Sequence, residues 1–214
     1  MALDKDEVRD LYRKRAKRYD VTANLYYLIG FREAKYRKMA ISRLALKLGD
    51  TVVEIGCGTG LNFGYVLEHI GESGRLIGVD LTDAMLRQAE LRIKSNDWRN
   101  VSLVQSDAAK YSFPGNLNGV ISSFALTLVP EYQEVIEQAW RALAKGGRLV
   151  VLDLKKPEKW PIWVAKLGVA ITKPFGVTLD LTDRKPWEVM KRHFRNVTVA
   201  DLYGGFVYIA VGEK

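Results

Sequence analysis

The chain has 214 residues, 48% of them hydrophobic, which is enough for one sizeable α/β domain with decorations and short for two. Its one cysteine, Cys57, excludes an intrachain disulfide framework and fits a reducing cytoplasm, and no His or Cys cluster has ligand spacing, so no metal is expected. The formal charge of +8 is segregated: residues 1–48 carry +7, residues 49–153 carry −4 and residues 154–214 carry +5, so an acidic centre sits between basic flanks suited to an anionic partner.

Residues 4–19 read as a basic amphipathic helix, charged from Asp4 onward and unlike a signal peptide. Val8, Leu11, Tyr12, Ala16 and Tyr19 form its apolar stripe, and Arg9, Arg13, Lys14, Lys17 and Arg18 occupy most of the rest. Such a stripe either lies on an anionic membrane or packs on its own domain, and a hinged lid does both. Tyr26 to Phe31 is an apolar, aromatic patch. Arg32 to Leu48 reads as a second basic helix with Tyr36, Met39, Ala40, Leu44 and Leu48 on one face, stopped by Gly49-Asp50. Residues 1–48 are therefore expected to cap a domain of residues 49–214. In that domain the pattern alternates: strand 51–56, helix 60–70, strand 75–80, helix 83–95, strand 101–106, strand 118–124, helix 131–144 and strand 147–153. Asp83 is the expected N-cap of its helix, and Gly146-Gly147 is expected to end helix 131–144 and open the next strand. This alternation predicts a doubly wound, mostly parallel sheet that binds ligands beyond the carboxyl ends of its strands. Residues 157–179 are strongly apolar, but Lys166, Lys173 and the prolines argue against a transmembrane span. We read residues 156–190 as an insertion on the substrate side. Strands 196–201 and 205–212, joined through Tyr203-Gly204-Gly205, close the sheet as an antiparallel hairpin and bring the strand count to seven.

The stretch Val52-Val53-Glu54-Ile55-Gly56-Cys57-Gly58-Thr59-Gly60 is a buried strand running into a Gly-x-Gly-x-Gly turn. Glycines let the backbone turn sharply and approach a ligand where any Cβ would collide. About 20 residues on, a second strand ends in Asp80, placed to accept hydrogen bonds from ribose hydroxyls. Position 61 is Leu61 rather than the third glycine of a dinucleotide fingerprint, and no Gly-Lys-Ser/Thr phosphate loop exists.

What remains, Glu54-x-Gly56-x-Gly58-x-Gly60, resembles the first motif of class I S-adenosylmethionine-dependent methyltransferases. The resemblance runs from about residue 15 to the C-terminus and implies a Rossmann-like seven-stranded fold with S-adenosylmethionine as cofactor. It implies that Gly56, Gly58 and Gly60 contact the methionine portion, with Glu54 acting indirectly. Asp80 would hold the ribose, with Leu81 beside the sugar. Asp107 would accept from the adenine amino group, with Ala108 against the base, and Ser123 and Phe124 would line the sulfonium and methyl. Tyr19, Tyr26, Tyr27 and Phe124 are the aromatic candidates at the reacting centre, Tyr19 also toward the cofactor. His193 is a weak candidate base, and His69 reads as a helix-surface residue.

The acceptor is read from three further features. The segment Ser122-Ser123-Phe124-Ala125 lacks the Asn/Asp-Pro-Pro-aromatic element of adenine and glutamine amino-methyltransferases, and no RNA-binding module is appended, so no nucleic-acid partner is expected. Arg18-Tyr19-Asp20 with the aromatic patch resembles the ubiquinone/menaquinone methyltransferases and the soluble bacterial phospholipid N-methyltransferases. Arg184-Lys185-Pro186-Trp187-Glu188, leading to Tyr203-Gly204-Gly205-Phe206-Val207-Tyr208, resembles the phospholipid group. The expectation is therefore a monomeric, cytoplasmic enzyme held peripherally on an anionic membrane, which methylates the amine of phosphatidylethanolamine. Arg32, Arg37, Arg184 and Lys185 would pair with the headgroup phosphate, and Asp20 is a candidate to take the amine proton. The alternatives are methylation of a ubiquinone or menaquinone precursor, and a membrane-associated cofactor-binding protein without catalysis.

Overall fold

The computed structural model describes residues 5–20, 30–157 and 184–214. Tyr26, Tyr27 and most of the apolar segment at 157–179 lie outside the described residues.

Seven strands form one sheet in the order β3-β2-β1-β4-β5-β7-β6. They are β1 Thr51–Ile55, β2 Arg75–Asp80, β3 Val101–Gln105, β4 Leu117–Ser123, β5 Leu143–Leu154, β6 Arg195–Leu202 and β7 Val207–Glu213. The first five are parallel, and β7 runs antiparallel to both β5 and β6. The order reverses between β1 and β4, where connections leave toward opposite sides and a crevice opens at the carboxyl ends.

Alternating side chains feed two cores, as the strand period of two requires. Val52, Leu76 and Ile121 face α2 (Glu33–Ser42) and α3 (Phe63–Ile70), where Tyr36, Ala40, Ile41, Phe63 and Ile70 are buried. Val53, Ile77 and Val120 face α5 (Tyr132–Ala142) and α6 (Pro186–His193), where Ile136, Ala139, Val189 and Met190 are buried. The N-terminal α1 (Lys5–Arg15) continues as a 3-10 turn, whose Ala16 packs with Tyr12 and Tyr19 against Ala84 and Met85 of α4 (Asp83–Ser95). The apolar stripe of α1 is thus turned onto its own domain.

Several boundaries differ from the sequence reading for local reasons. Helix α2 stops at Ser42, leaving Leu48 77% exposed instead of on a helix face. Helix α3 starts at Phe63 because Gly60, with φ +78°, prolongs the turn. Asp83 is not an N-cap: Thr82 holds that position, and Asp83, the first helical residue, takes Arg13 and Arg87 at 2.7 Å each. Strand β5 already begins at Leu143, so Gly146-Gly147 lies within it. Helix α6 was not anticipated, although Pro186 in its first turn, Glu188 nearby and Lys191, Arg192 and His193 in its last turn are ordinary helix-end signals.

Gly56 packs tightly against the loop after β4. It has φ +69°, and a Cβ there would stand 2.3 Å from the Cβ of Ala125. Gly56→Ala combines left-handed strain with overpacking and should lower stability by about 1–3 kcal/mol in urea unfolding. An unchanged unfolding midpoint would show that the Ala125 loop yields freely.

Candidate active site

A cavity opens at the carboxyl ends of β1 to β4, and the sequence-predicted residues converge on it. Tyr19, Gly56, Gly58, Asp80, Leu81, Asp107, Ala108, Ser123 and Phe124 all line it. Glu54 and Gly60 stand behind this lining. Of the four cations expected to bind a headgroup, only Arg37 reaches the cavity wall.

The two strand-end carboxylates are already partly engaged. Asp80 accepts the Gly58 N–H at 2.9 Å on one oxygen and the Thr82 N–H at 2.8 Å on the other. Burial raises its pKa, and these two amides oppose the rise. Asp107 accepts the Ala109 N–H at 3.0 Å and the Lys5 ammonium at 2.6 Å. Burial pulls its pKa up, but Lys5 and the Ala109 amide prevail and hold it below the usual range. Lys5 also reaches Glu131 at 2.8 Å.

Lys5, Val8 and Tyr12 were not among the predicted site residues, although Tyr19 at the end of the same predicted helix was. Helix α1 roofs the cavity with Lys5, Val8 and Tyr12. Its basic face is clasped to the acidic centre through Lys5–Asp107 and Arg13–Asp83. Part of the charge segregation in the sequence is therefore satisfied within the fold. The reciprocal contact comes from Asp20, which accepts from Thr59 Oγ at 2.6 Å and from Arg92, so it ties the N-terminal segment to the glycine turn and α4. The structure places Asp20 as a tether, beside the glycine turn and outside the cavity lining.

A buried network supports the far wall. Arg37 donates from Nε and Nη2 to Glu33 at 2.8 and 2.6 Å, and from Nη1 to Asn62 Oδ1 at 3.2 Å. Asn62 Nδ2 donates to Glu54 at 2.7 Å and to Ser123 Oγ at 3.0 Å. Asn62, fully buried, is the hub, and the sequence reading missed it; its signal was a polar side chain two residues past the glycine turn, at a helix entrance. Glu54 keeps one oxygen without a partner among the described residues, and burial pushes its pKa up to about 8 despite Arg37 and Asn62.

Aromatic rings gather beside Arg37. Its guanidinium lies 5.3 Å from the centre of the Phe124 ring. Phe31 packs on Phe124, Tyr36 and Tyr203 with centroids 5.8, 5.6 and 5.5 Å away. Phe124 adopts φ +56°, a conformation unusual for a bulky residue and of the kind held at functional sites by their surroundings.

The other predictions fall outside the cavity. Arg184 donates to the Thr127 and Val129 carbonyls at 2.6 and 2.9 Å, so it does not point to a headgroup. Arg32 and Lys185 are exposed ahead of α2 and α6 and do not line the cavity. His193 ends α6 against Trp140, with ring centroids 5.7 Å apart, away from the cavity lining. His69 is exposed and bonds back to the Tyr65 carbonyl. Cys57 is buried with its thiol pKa raised by burial, an inert filler of the turn. Among the described residues no cluster of His, Cys, Asp and Glu forms a metal site, and no helix is long and apolar enough to cross a membrane.

The donor set fits S-adenosylmethionine: a glycine turn without Cβ atoms, two carboxylates at adjacent strand ends, and an apolar roof over them. The raised Glu54 pKa also makes a stability prediction. Between the ordinary value of 4.5 and about 8 the folded protein keeps a proton that the unfolded chain releases, so this contribution declines as pH rises through that window. Glu54→Gln removes the decline. Denaturant unfolding should show the variant gaining stability relative to the parent between pH 5 and 8, and a pH-independent difference would exclude a protonated Glu54.

Comparison with known proteins agrees with this geometry. A model of the ubiE/COQ5 methyltransferase family matches residues 1–166. A demethylmenaquinone methyltransferase of Listeria welshimeri is 29% identical over 154 residues, 71% of this chain, and the match spans 64% of that relative's length. A SAM-dependent methyltransferase from Aquifex aeolicus superposes with a TM-score of 0.60 at 20% identity, covering 82% of this chain and 88% of that one. Phosphoethanolamine N-methyltransferase 2 of Haemonchus contortus, in complex with S-adenosyl-L-methionine, superposes with a TM-score of 0.61 at 22% identity, covering 77% of this chain and 38% of that one. The glycine turn, the strand-end acids and the reversed strand order are thus those of a chain that belongs to the ubiE/COQ5 methyltransferase family.

Proposed function

We propose that the protein transfers a methyl group from S-adenosylmethionine to a ring carbon of a demethylated quinol with a lipid tail. Arg37 carries this reading of the acceptor. It is a buried cation in the cavity wall beside Phe124, while its partner Glu33 is not part of the lining. A quinol carbon becomes nucleophilic when the neighbouring hydroxyl gives its proton to water, a fixed guanidinium lowers the cost of that phenolate, and the hydrogen of the methylated carbon then leaves to water as a proton. The same cation disfavours an ammonium acceptor. The name of the Listeria relative supports the quinol reading.

The remaining roles follow from the free valences of the site. Asp80 lines the cavity and keeps acceptor capacity for the ribose hydroxyls, and Asp107 is available to the adenine amino group. Gly56 and Gly58 admit the methionine portion, and Leu81 and Ala108 flank the nucleoside. When bound, S-adenosylmethionine supplies a methyl activated by its sulfonium, so no acid is needed at the leaving group. The protein's task is alignment and exclusion of water, and positioning of this kind can supply roughly 7–11 kcal/mol. Phe124 fixes the acceptor side of the cavity, and α1 closes its roof.

Methylation of a phospholipid amine is the second reading. The Phe31, Phe124 and Tyr203 rings favour it, since aromatic faces attract an ammonium by roughly 0.5–2 kcal/mol. Arg184, one of its four expected phosphate ligands, is already committed to the Thr127 and Val129 carbonyls. Both acceptors are lipids, so both readings place the protein peripherally on a membrane, with exposed Lys14, Lys17, Arg32 and Lys185 available to anionic headgroups.

Transfer of a labelled methyl group to anionic vesicles decides between them. One set carries a prenylated naphthoquinol without its ring methyl, the other phosphatidylethanolamine. Label in the quinol is the expected result, label only in the ethanolamine lipid moves the acceptor to the second reading, and label in neither rejects both. Asp80→Ala should abolish S-adenosylmethionine binding in calorimetry, and normal binding by that variant would overturn the site.

A further inference from the structure

The loop after β4 forms the wall between the cofactor side of the cavity and the aromatic cluster, through Phe124, Ala125, Leu128 and Val129. It is a poor candidate to hold itself in place. Phe124 is in a left-handed conformation, and the regular structure between β4 and α5 is the single 3-10 turn Leu126–Leu128.

Two charged side chains from distant parts of the chain grip this turn from opposite polarities. Asp153, in β5 and 2% exposed, accepts the Thr127 N–H at 3.0 Å on one oxygen and its own neighbour's Leu154 N–H at 2.9 Å on the other. Tyr208 lies directly across from Asp153 in the register of β5 and β7, yet its buried hydroxyl has no partner among the described residues. The carboxylate is therefore directed to the backbone and not to the adjacent phenol. Arg184 Nη1 donates to the carbonyls of Thr127 and Val129, and its guanidinium rests 5.9 Å from the centre of the Tyr132 ring. Thr127 thus has its N–H taken by an anion and its C=O by a cation. Hydrogen bonds to charged groups are stronger than neutral ones and fix geometry accordingly.

We propose that Asp153 and Arg184 are positioning residues for methyl transfer: their joint hold on Thr127 keeps the Phe124–Val129 wall pressed against Gly56 and sets where the acceptor meets the methyl group. Neither residue lines the cavity, so both act through the loop. The proximity of Ala125 to Gly56 makes the wall sensitive, because any retreat of the turn opens the contact between the two halves of the site.

The test combines hydrogen exchange with ligand binding and turnover, using the full chain. Asp153→Asn and Arg184→Gln should each speed amide exchange in residues 125–129 by about tenfold or more while the central strands stay protected. S-adenosylhomocysteine should bind within about twofold of the parent, KM should hardly change, and kcat should fall about tenfold or more, as expected for lost alignment. Arg184→Lys, which keeps one cationic donor, should recover part of both losses. Unchanged local exchange would overturn the clamp. Faster exchange with unchanged kcat would overturn its role in alignment, and a rise in exchange across the whole sheet would reduce both residues to general supports of the fold. The turnover arm rests on the methyl-transfer reading above; if the parent transfers no methyl to either vesicle, exchange and S-adenosylhomocysteine binding still decide whether the clamp exists.

Discussion

The contact between Gly56 and Ala125 sets the dimensions of this site. The turn after β1 and the loop after β4 approach until no Cβ fits between them. The parallel pairing of β1 with β4 brings their ends side by side, and the reversal of strand order leaves the crevice beyond them open. Everything else in the cavity is placed relative to that contact. Gly58 turns its amide to Asp80, Asn62 ties the turn to Ser123, and Phe124 is driven into a conformation that a bulky residue adopts only under constraint.

Around this junction the protein uses charge where it needs direction and apolar area where it needs only mass. The cores on the two sheet faces are aliphatic and aromatic. The site is different. Glu33, Arg37, Asn62, Glu54 and Ser123 form one connected buried network, and each member has a fixed partner apart from one oxygen of Glu54. Buried polar groups without partners are costly, so a connected network has few alternative arrangements and holds its shape. Helix α1 sits at the other extreme. With the 3-10 turn that follows, it packs Tyr12, Ala16 and Tyr19 against α4, and the Lys5–Asp107 and Arg13–Asp83 ion pairs add to that hold.

The strands, the glycine turn and the strand-end acids were legible in the sequence because each is a local pattern: period-two alternation, glycine spacing, an acid closing a strand. Asp80 and Asp107 needed only their position at strand ends to be found. What was not legible is which partner a side chain chooses. Arg184 and Arg37 look like anion ligands in sequence, and the fold gives one of them two carbonyl oxygens and the other a glutamate four residues back on its own helix. Asn62 looked ordinary because its importance comes from three elements that meet only after folding. The N-terminal helix was legible as amphipathic, but its stripe could have faced lipid or protein, and only the placement of Ala84 and Met85 beneath it decides that.

Charge segregation along the chain acquires a different meaning from this. A basic N-terminal flank beside an acidic centre reads first as a device for binding something anionic outside the protein. Here Lys5 and Arg13 are matched to Asp107 in the cavity lining and to Glu131 and Asp83 outside it. The flank therefore serves the interior before any external surface. An anionic membrane would compete with those acids for the same cations, and each Lys or Arg drawn to the lipid would be one fewer holding the roof closed. The segregated charge is therefore, in the first place, what seats the N-terminal helix over the cavity.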